Sequence, residues 1–230
     1  MINKIKKVVK LNQNKIAYKV NDECLTYEEL WSCACKYAQL LKKQGTSPVI
    51  IYGHKNPSVI VSILACIIAN RTYVPVGPCT PLFRVQQIID ITHSTLVLSD
   101  NKILLEKADC LSLKELEQFN NFNIKENQND IVYIIFTSGT TGIPKGVPIS
   151  KKNLNNFIEW LSSLKPLCDY KDINVLNMAS FSFDLSVADL YYSLCNGHTL
   201  IAYDGDIQND YEELFNIIKE ENKLSREKTR

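Results

Sequence analysis

Apolar residues recur along the chain in short extended runs that alternate with longer stretches of helical spacing. Residues 16–20 alternate as a strand does, and the apolar run 58–69 is typical of a buried helix and too short to span a bilayer. Short apolar runs at 48–52, 73–76 and 95–98 are separated by helical stretches, which is the order of parallel βαβ units. The pattern therefore predicts an α/β fold with a parallel or mixed sheet and flanking helices, in αβαβα layers.

Polar residues at the borders of these stretches predict where several helices begin. Thr26 and Glu29 form a capping-box pattern, Ser150 precedes a helix over 151–164, and Thr80 with Pro81 predicts an N-cap hydroxyl followed by proline at the first helical position. The other predicted elements are a weak helix near 112–119 in a polar connection, strands at 131–136, 173–178 and 199–203, and a last helix from Asp210 to about Asn222.

The charge balance excludes some partners. The 26 basic and 25 acidic residues nearly cancel, so no nucleic-acid or anionic-membrane partner is predicted. The first ten residues lack the apolar core of a signal peptide, which favours a cytoplasmic protein without membrane insertion. The eight cysteines contain no Cys-x-x-Cys pattern and the three histidines are scattered, so no metal site is predicted and the thiols are interpreted as reduced.

The apolar run 131–136 is followed by a segment of hydroxyls and glycines that ends in Pro-Lys-Gly. Glycines allow close approach of the backbone to an anion, hydroxyls and N–H groups donate to it, and a lysine adds a full charge. The spacing is not that of a Walker loop, and a flexible polar hairpin is the alternative. The segment predicts a nucleotide-phosphate loop formed by Thr137, Ser138, Gly139, Thr140, Thr141, Gly142 and Lys145.

A second stretch, Phe-Ser-Phe-Asp-Leu-Ser at 181–186, places Asp184 among apolar residues between a strand and a helix. A carboxylate in that position either caps the helix, alone or with Ser182 beside it, or binds a cation such as the ammonium group of an amino acid. The residues alone leave both alternatives open.

The segment 137–146 resembles the phosphate-loop signature of adenylate-forming enzymes, and 25–30 and 68–76 resemble the first and second core motifs of their adenylation domains. One departure follows the second motif, where Gly77-Pro78 replaces the usual polar or acidic residue. The run 181–187 is most similar to the D-alanine–carrier protein ligases of teichoic-acid alanylation. The resemblance extends over about 13–220.

This resemblance implies an ATP-dependent ligase that joins D-alanine, or another amino acid, to AMP and then transfers it to a carrier protein. It implies that Asp184 binds the substrate amino group and that the loop binds the ATP phosphates. It also implies Mg²⁺ with ATP, although the sequence offers no convincing magnesium carboxylate. No residue of the chain is predicted to be a covalent catalyst.

The resemblance also implies that later motifs of these enzymes are absent. We therefore expect residues 1–222 to form an incomplete N-terminal AMP-binding domain, with the loop 137–146 joining halves of about 1–130 and 131–222, and 223–230 to be a charged tail. Such a chain is expected to be inactive alone. The alternatives are an adenylation module of a non-ribosomal peptide synthetase and a non-catalytic binding fragment.

Overall fold

The computed structural model describes residues 1–100, 105–112, 129–138, 142–205, 212 and 214–219. Helices and strands alternate over most of this length, as the apolar pattern predicts. The helices are α1 (Ile2–Leu11), α2 (Tyr27–Lys43), α3 (Pro57–Ala69), α4 (Leu82–Thr92), α5 (Lys151–Ser163) and α6 (Leu185–Asn196), with a 3₁₀ turn at Leu167–Asp169 and helical residues at 214–219.

The described strands form two sheets. They are β1 (Ile16–Val20), β2 (Glu23–Thr26), β3 (Val49–Tyr52), β4 (Tyr73–Val76), β5 (Leu96–Ser99), β6 (Asp109–Ser112), β7 (Ile131–Ser138), β8 (Pro144–Ser150), β9 (Asn174–Asn177) and β10 (Thr199–Ala202).

The larger sheet has six strands in the order β6-β5-β3-β4-β7-β8. Its first five strands are parallel to their neighbours, and β8 returns antiparallel to β7. The smaller sheet has the order β2-β1-β10-β9, with β1, β10 and β9 parallel and β2 antiparallel to β1. Both sheets are thus mixed and flanked by helices, which confirms the predicted α/β class.

The core is divided by the faces of the larger sheet. Along β3, Val49 and Ile51 point into the main core, which the smaller sheet shares with helices α2, α3 and α6, whereas Ile50 points to the opposite face covered by α4. Successive side chains of a strand point to opposite faces. Both faces of β3 are therefore covered, and its sequence is apolar without interruption.

Two of the predicted helix starts are confirmed and one is wrong. The Thr26 hydroxyl accepts a hydrogen bond from the backbone N–H of Glu29, and the backbone N–H of Thr26 donates to the Glu29 carboxylate. Ser150 forms the equivalent box with Asn153. The helix predicted to start at Thr80 has Pro81 as its N-cap and no side-chain capping bond. The backbone N–H groups of the first turn instead reach the Pro81 carbonyl, which displaces the start by one residue.

Three elements were not predicted. The lysines of helix α1 obscure its apolar spacing in the sequence. Its buried positions are Ile5 and Val9, which are four residues apart. Strand β2 turns back on β1 at Asn21, which has a φ of +49°. Strand β6 lies in the connection predicted to be a polar surface segment; the helix predicted near 112–119 lies outside the described residues except for its first residue, which ends β6.

Each sheet combines strands from both sides of residue 130. Strands β7 and β8 belong to the larger sheet, and β9 and β10 pair with β1 from the start of the chain. The division into halves stays a prediction, as does the charged tail 223–230, which lies outside the described residues.

A buried lysine joins the two sheets. Lys55, in the turn between β3 and α3, is fully inaccessible to solvent. Its Nζ donates to the carbonyls of Asn177 (2.9 Å), Met178 (2.9 Å) and Tyr203 (2.7 Å), where β9 and β10 end. Its own carbonyl accepts from the Tyr18 hydroxyl of β1. Three acceptors match the three N–H donors of an ammonium group, so the charged form fits this site.

None of the helices within the described ranges has the length and apolar character needed to cross a membrane.

Replacing Lys55 by methionine is expected to destabilise the fold by about 3 to 5 kcal/mol, because the substitution leaves buried carbonyls without their charged donor. Chemical denaturation followed by circular dichroism measures this change. Lys152→Met, at an exposed position of α5, is the matched control and is expected to change stability by less than about 0.5 kcal/mol. A loss below about 1 kcal/mol for Lys55→Met would contradict this role.

Candidate active site

A hairpin formed by β7 and β8 carries the residues predicted to bind phosphate. Its antiparallel register places Thr137 opposite Lys145, so the two side chains lie on the same face. Both are exposed, and the Thr137 hydroxyl donates to the Lys145 carbonyl at 3.4 Å. A hydroxyl donor and a cation therefore lie side by side at the carboxyl end of a buried strand.

The tip of this hairpin is described only in part. Gly139, Thr140 and Thr141 lie outside the described residues, and Ser138 is described through its backbone in β7. Gly142 has a φ of +79°, in the left-handed region that glycine adopts without steric penalty. Gly139 and Gly142 were predicted to let the loop backbone adopt unusual angles. Gly142, the one that lies within the described residues, has a backbone conformation that favours glycine.

Gly146 meets a different constraint. A Cβ atom at this position would lie 2.9 Å from Cγ2 of Ile134 and 3.0 Å from Cζ of Phe136, both in the facing strand β7. These separations are too short for carbon atoms that are not bonded to each other. Strands β7 and β8 can therefore approach each other this closely because Gly146 has no side chain.

A cavity of about 560 Å³ opens beside the hairpin. Phe136 and Thr137 line one wall, the loop 75–81 after β4 lines another, and Ser180 and Ser182 line a third. The two serine hydroxyls are 3.0 Å apart. The phosphate-loop segment and the segment around Asp184, which the sequence analysis singled out separately, thus meet at one cavity.

The departure at Gly77 changes this cavity. A Cβ atom at Gly77 would lie 3.4 Å from Oγ of Ser182 and 3.6 Å from Oγ of Ser180. A larger residue there would rest against these hydroxyls. Glycine leaves them open to the cavity.

Asp184 lies on the other side of the same segment. Phe183 lines the cavity, whereas Asp184 lines an adjoining groove of about 390 Å³ together with Tyr133 and Leu185. Its side chain is exposed at the N-cap position of α6 but makes no capping hydrogen bond. The hydroxyl of Ser182 pairs with Ser180 instead. Neither residue is seen in the capping role that the sequence left open.

The groove is apolar apart from a few groups. Burial raises the pKa of the Tyr133 phenol to about 12, and the nearby charge of Asp184 adds to this shift. Tyr133 therefore stays neutral at neutral pH, and Asp184 is the acidic side chain that lines the groove. A carboxylate at the edge of an apolar groove can hold an ammonium group attached to a small apolar body.

Two polar residues that line the cavity, His54 and Arg84, were not singled out as functional from the sequence, and neither was the buried Lys55. His54 contacts Asp204, with 3.1 Å between Nε2 and Oδ1, and burial lowers the pKa of its imidazole. Arg84 donates to backbone carbonyls of the hairpin. Their partners are distant in sequence, so no local pattern could have identified them.

Within the described ranges, no group of three or more His, Cys, Asp or Glu side chains lies close enough together to hold a metal ion. The described hairpin residues offer hydroxyls, carbonyls and a lysine rather than the carboxylates that help to bind Mg²⁺ in nucleotide sites. The described residues therefore do not fit the Mg²⁺ that the resemblance implies.

Comparison with known proteins gives a family and a set of relatives. The family model described as AMP-binding enzyme matches residues 5–223. The chain is 36% identical to a D-alanine–D-alanyl carrier protein ligase of Bacillus licheniformis, over 96% of this chain and 46% of that protein. It is also 36% identical to a ligase of the same name from Staphylococcus epidermidis, over 90% of this chain and 43% of that protein. The chain thus spans less than half the length of these curated relatives.

Solved structures show the same fold. An O-succinylbenzoate coenzyme A synthetase from Bacillus subtilis, in complex with AMP, superposes with a TM-score of 0.80 at 18% identity, over 95% of this chain and 59% of that one. The N-terminal subdomain of Klebsiella oxytoca NpsA superposes with a TM-score of 0.75 at 20% identity, over 90% of this chain and 55% of that one. At these identities the likeness concerns the fold.

Replacing Gly146 by alanine is expected to destabilise the protein by about 1 to 3 kcal/mol, because the added methyl group overlaps Ile134 and Phe136. Removing Cγ2 of the first neighbour with Ile134→Ala should relieve part of this overlap. A double-mutant cycle in chemical denaturation should therefore show a favourable coupling of about 1 kcal/mol.

Gly142→Ala is the control for this cycle. Its Cβ would meet nothing within 4 Å, so its destabilisation should come from the positive φ alone and should show no coupling with Ile134→Ala. Equal coupling for the two glycine variants would contradict the steric explanation.

Proposed function

The chain belongs to the AMP-binding enzyme family, and from this premise we propose that it forms one side of the active site of an ATP-dependent ligase that activates D-alanine. The observation that carries the proposal is the 36% identity, over nearly the whole chain, to relatives named D-alanine–D-alanyl carrier protein ligase. Because the chain matches less than half of their length, their activity is proposed for a protein that contains these residues.

In the proposed reaction, a carboxylate oxygen of D-alanine attacks the α-phosphorus of ATP. The bond from this phosphorus to the bridging oxygen breaks, and pyrophosphate leaves with its electron pair. The product is alanyl-adenylate. A carrier-protein thiol, deprotonated on attack, then displaces AMP from the acyl carbon and forms a thioester. This chemistry requires positioning and charge stabilisation rather than a nucleophile on the protein.

The hairpin suits the phosphate part of this reaction. The hydroxyls of Thr137, Ser138, Thr140 and Thr141 and the backbone at Gly139 and Gly142 are proposed to bind phosphate oxygens, and Lys145 to balance the charge of the triphosphate. The exposed, adjacent positions of Thr137 and Lys145 support this assignment.

Asp184 is proposed to bind the substrate ammonium group. Its exposure, the missing capping bond and the apolar groove beside it support this role. Phe183, the residue before Asp184, lines the cavity that Thr137 also lines.

ATP–pyrophosphate exchange tests the proposal. The chain is fused to the part of the Bacillus licheniformis relative that it does not match, and exchange is measured with D-alanine, L-alanine and larger amino acids. We expect D-alanine to support exchange at least about tenfold better than L-alanine. A preference for another amino acid would favour a peptide-synthetase module. Exchange by the 230-residue chain alone would contradict the proposal that it forms only one side of the site.

In the same fused protein, Asp184→Asn is expected to raise KM for D-alanine about 100-fold, because it removes the charge that pairs with the ammonium group. KM for ATP should stay within about threefold. Asp22→Asn, an equivalent change at an exposed position in the turn between β1 and β2, is the control and should leave both constants unchanged. Equal losses for D-alanine and ATP would assign Asp184 to folding rather than to substrate binding.

A further inference from the structure

Arg84 joins the two sides of the phosphate loop from outside the hairpin. It lies in the first turn of α4 and lines the same cavity as Ser180 and Ser182. Its Nη1 donates to the Gly142 carbonyl at 2.7 Å, and its Nη2 donates to the Thr137 carbonyl at 3.4 Å. One carbonyl belongs to the end of β7 and the other to the residue shortly before β8.

The geometry of a guanidinium group is suited to this contact. Its two Nη atoms are held in one rigid plane, so two acceptors bound to them are held at a fixed separation. A lysine has a single nitrogen and a flexible stem, so it supplies charge without this fork. The described contacts therefore use the shape of Arg84 as well as its charge.

Arg84 is itself held in place at its base. The Tyr52 hydroxyl, at the end of β3, donates to the carbonyls of Pro78 (2.8 Å) and Thr80 (3.3 Å), which precede α4. The backbone N–H of Arg84 donates to the Pro81 carbonyl at 2.8 Å. Arg84 therefore connects the hairpin to the start of α4, and Tyr52 in turn joins the segment before α4 to the end of β3.

The orientation of the two carbonyls has a further effect. In a trans peptide, the C=O and the following N–H point in opposite directions. Holding the carbonyls of Thr137 and Gly142 toward α4 therefore turns the N–H groups of Ser138 and Ile143 away from it. Both N–H groups belong to the segment 137–146 that is proposed to bind phosphate.

We propose that Arg84 is a positioning residue, which clamps the Thr137 and Gly142 carbonyls with its two Nη groups and so fixes the separation of these two described ends of the hairpin for a polyphosphate ligand. This inference rests on the proposed function for its ligand, but the clamp itself is a property of the free protein. Arg84 acts through the loop backbone and need not contact the nucleotide.

Two variants separate the fork from the charge. Arg84→Gln removes both, and Arg84→Lys keeps the charge. Trypsin cleavage after Lys145, followed by mass spectrometry, reports the freedom of the hairpin without any ligand. Titration calorimetry with ATP reports nucleotide affinity. Thermal unfolding shows whether the whole fold is affected. The matched control is Lys107→Gln, which removes a cation that pairs with Asp90. Asp90 lies on α4, as Arg84 does.

We expect both Arg84 variants to be cleaved after Lys145 about five- to tenfold faster, and to bind ATP about tenfold more weakly, with little change in the melting temperature. The control should match the wild type in both measurements. Unchanged cleavage and affinity in Arg84→Gln would overturn the proposal. If Arg84→Lys bound ATP as tightly as the wild type and only Arg84→Gln lost affinity, the charge of Arg84 and not its two-pronged shape would be responsible. That result would overturn the clamp.

A third outcome distinguishes this inference from the proposed function. If no form of the chain binds ATP but cleavage after Lys145 still increases in both Arg84 variants, the clamp stands and the nucleotide assignment fails. If the variants melt at a much lower temperature, the residue stabilises the fold and the positioning role is overturned.

Discussion

The position of the candidate site depends on one buried ammonium group. Lys55 donates to carbonyls at the ends of β9 and β10, and it lies in the turn that follows β3 of the other sheet. The segment that carries Ser180, Ser182 and Asp184 leaves β9 at these carbonyls. The hydrogen bonds of Lys55 therefore help to set the distance between this segment and the phosphate hairpin, although Lys55 lies in neither of them. Burial lowers the pKa of Lys55 to about 8, because desolvation disfavours the charged form of the amine.

Local chemistry accounts for what the sequence predicted correctly. The capping boxes of Thr26 and Ser150 involve residues three positions apart, and the apolar strands of the larger sheet are continuous because both of their faces are covered. The same reasoning failed at the start of α4. There the N-cap is Pro81, and no hydroxyl caps the first-turn N–H groups. This reasoning also missed α1, whose two buried residues are outnumbered by lysines.

Long-range contacts account for most of what the sequence could not predict. The acceptors of Lys55 are 122 to 148 residues away along the chain, and those of Arg84 are 53 and 58 residues away. A motif identifies residues that recur at fixed spacing, so it indicated Thr137, Lys145 and Asp184. It contains no information on which distant cation orients the backbone around them.

The pairing of β1 with β10 has a consequence for how the chain acquires its fold. Tyr18 lies beside Leu200 in the smaller sheet, whereas every strand of the larger sheet comes from residues between these two. During synthesis the larger sheet can assemble first, since its contacts close shorter loops. Strand β1 can pair with β2 early, but its other edge has no partner strand until residues 199–202 have been made. An unpaired strand edge can pair with another chain, so the smaller sheet is open to misassembly for longer than the larger one.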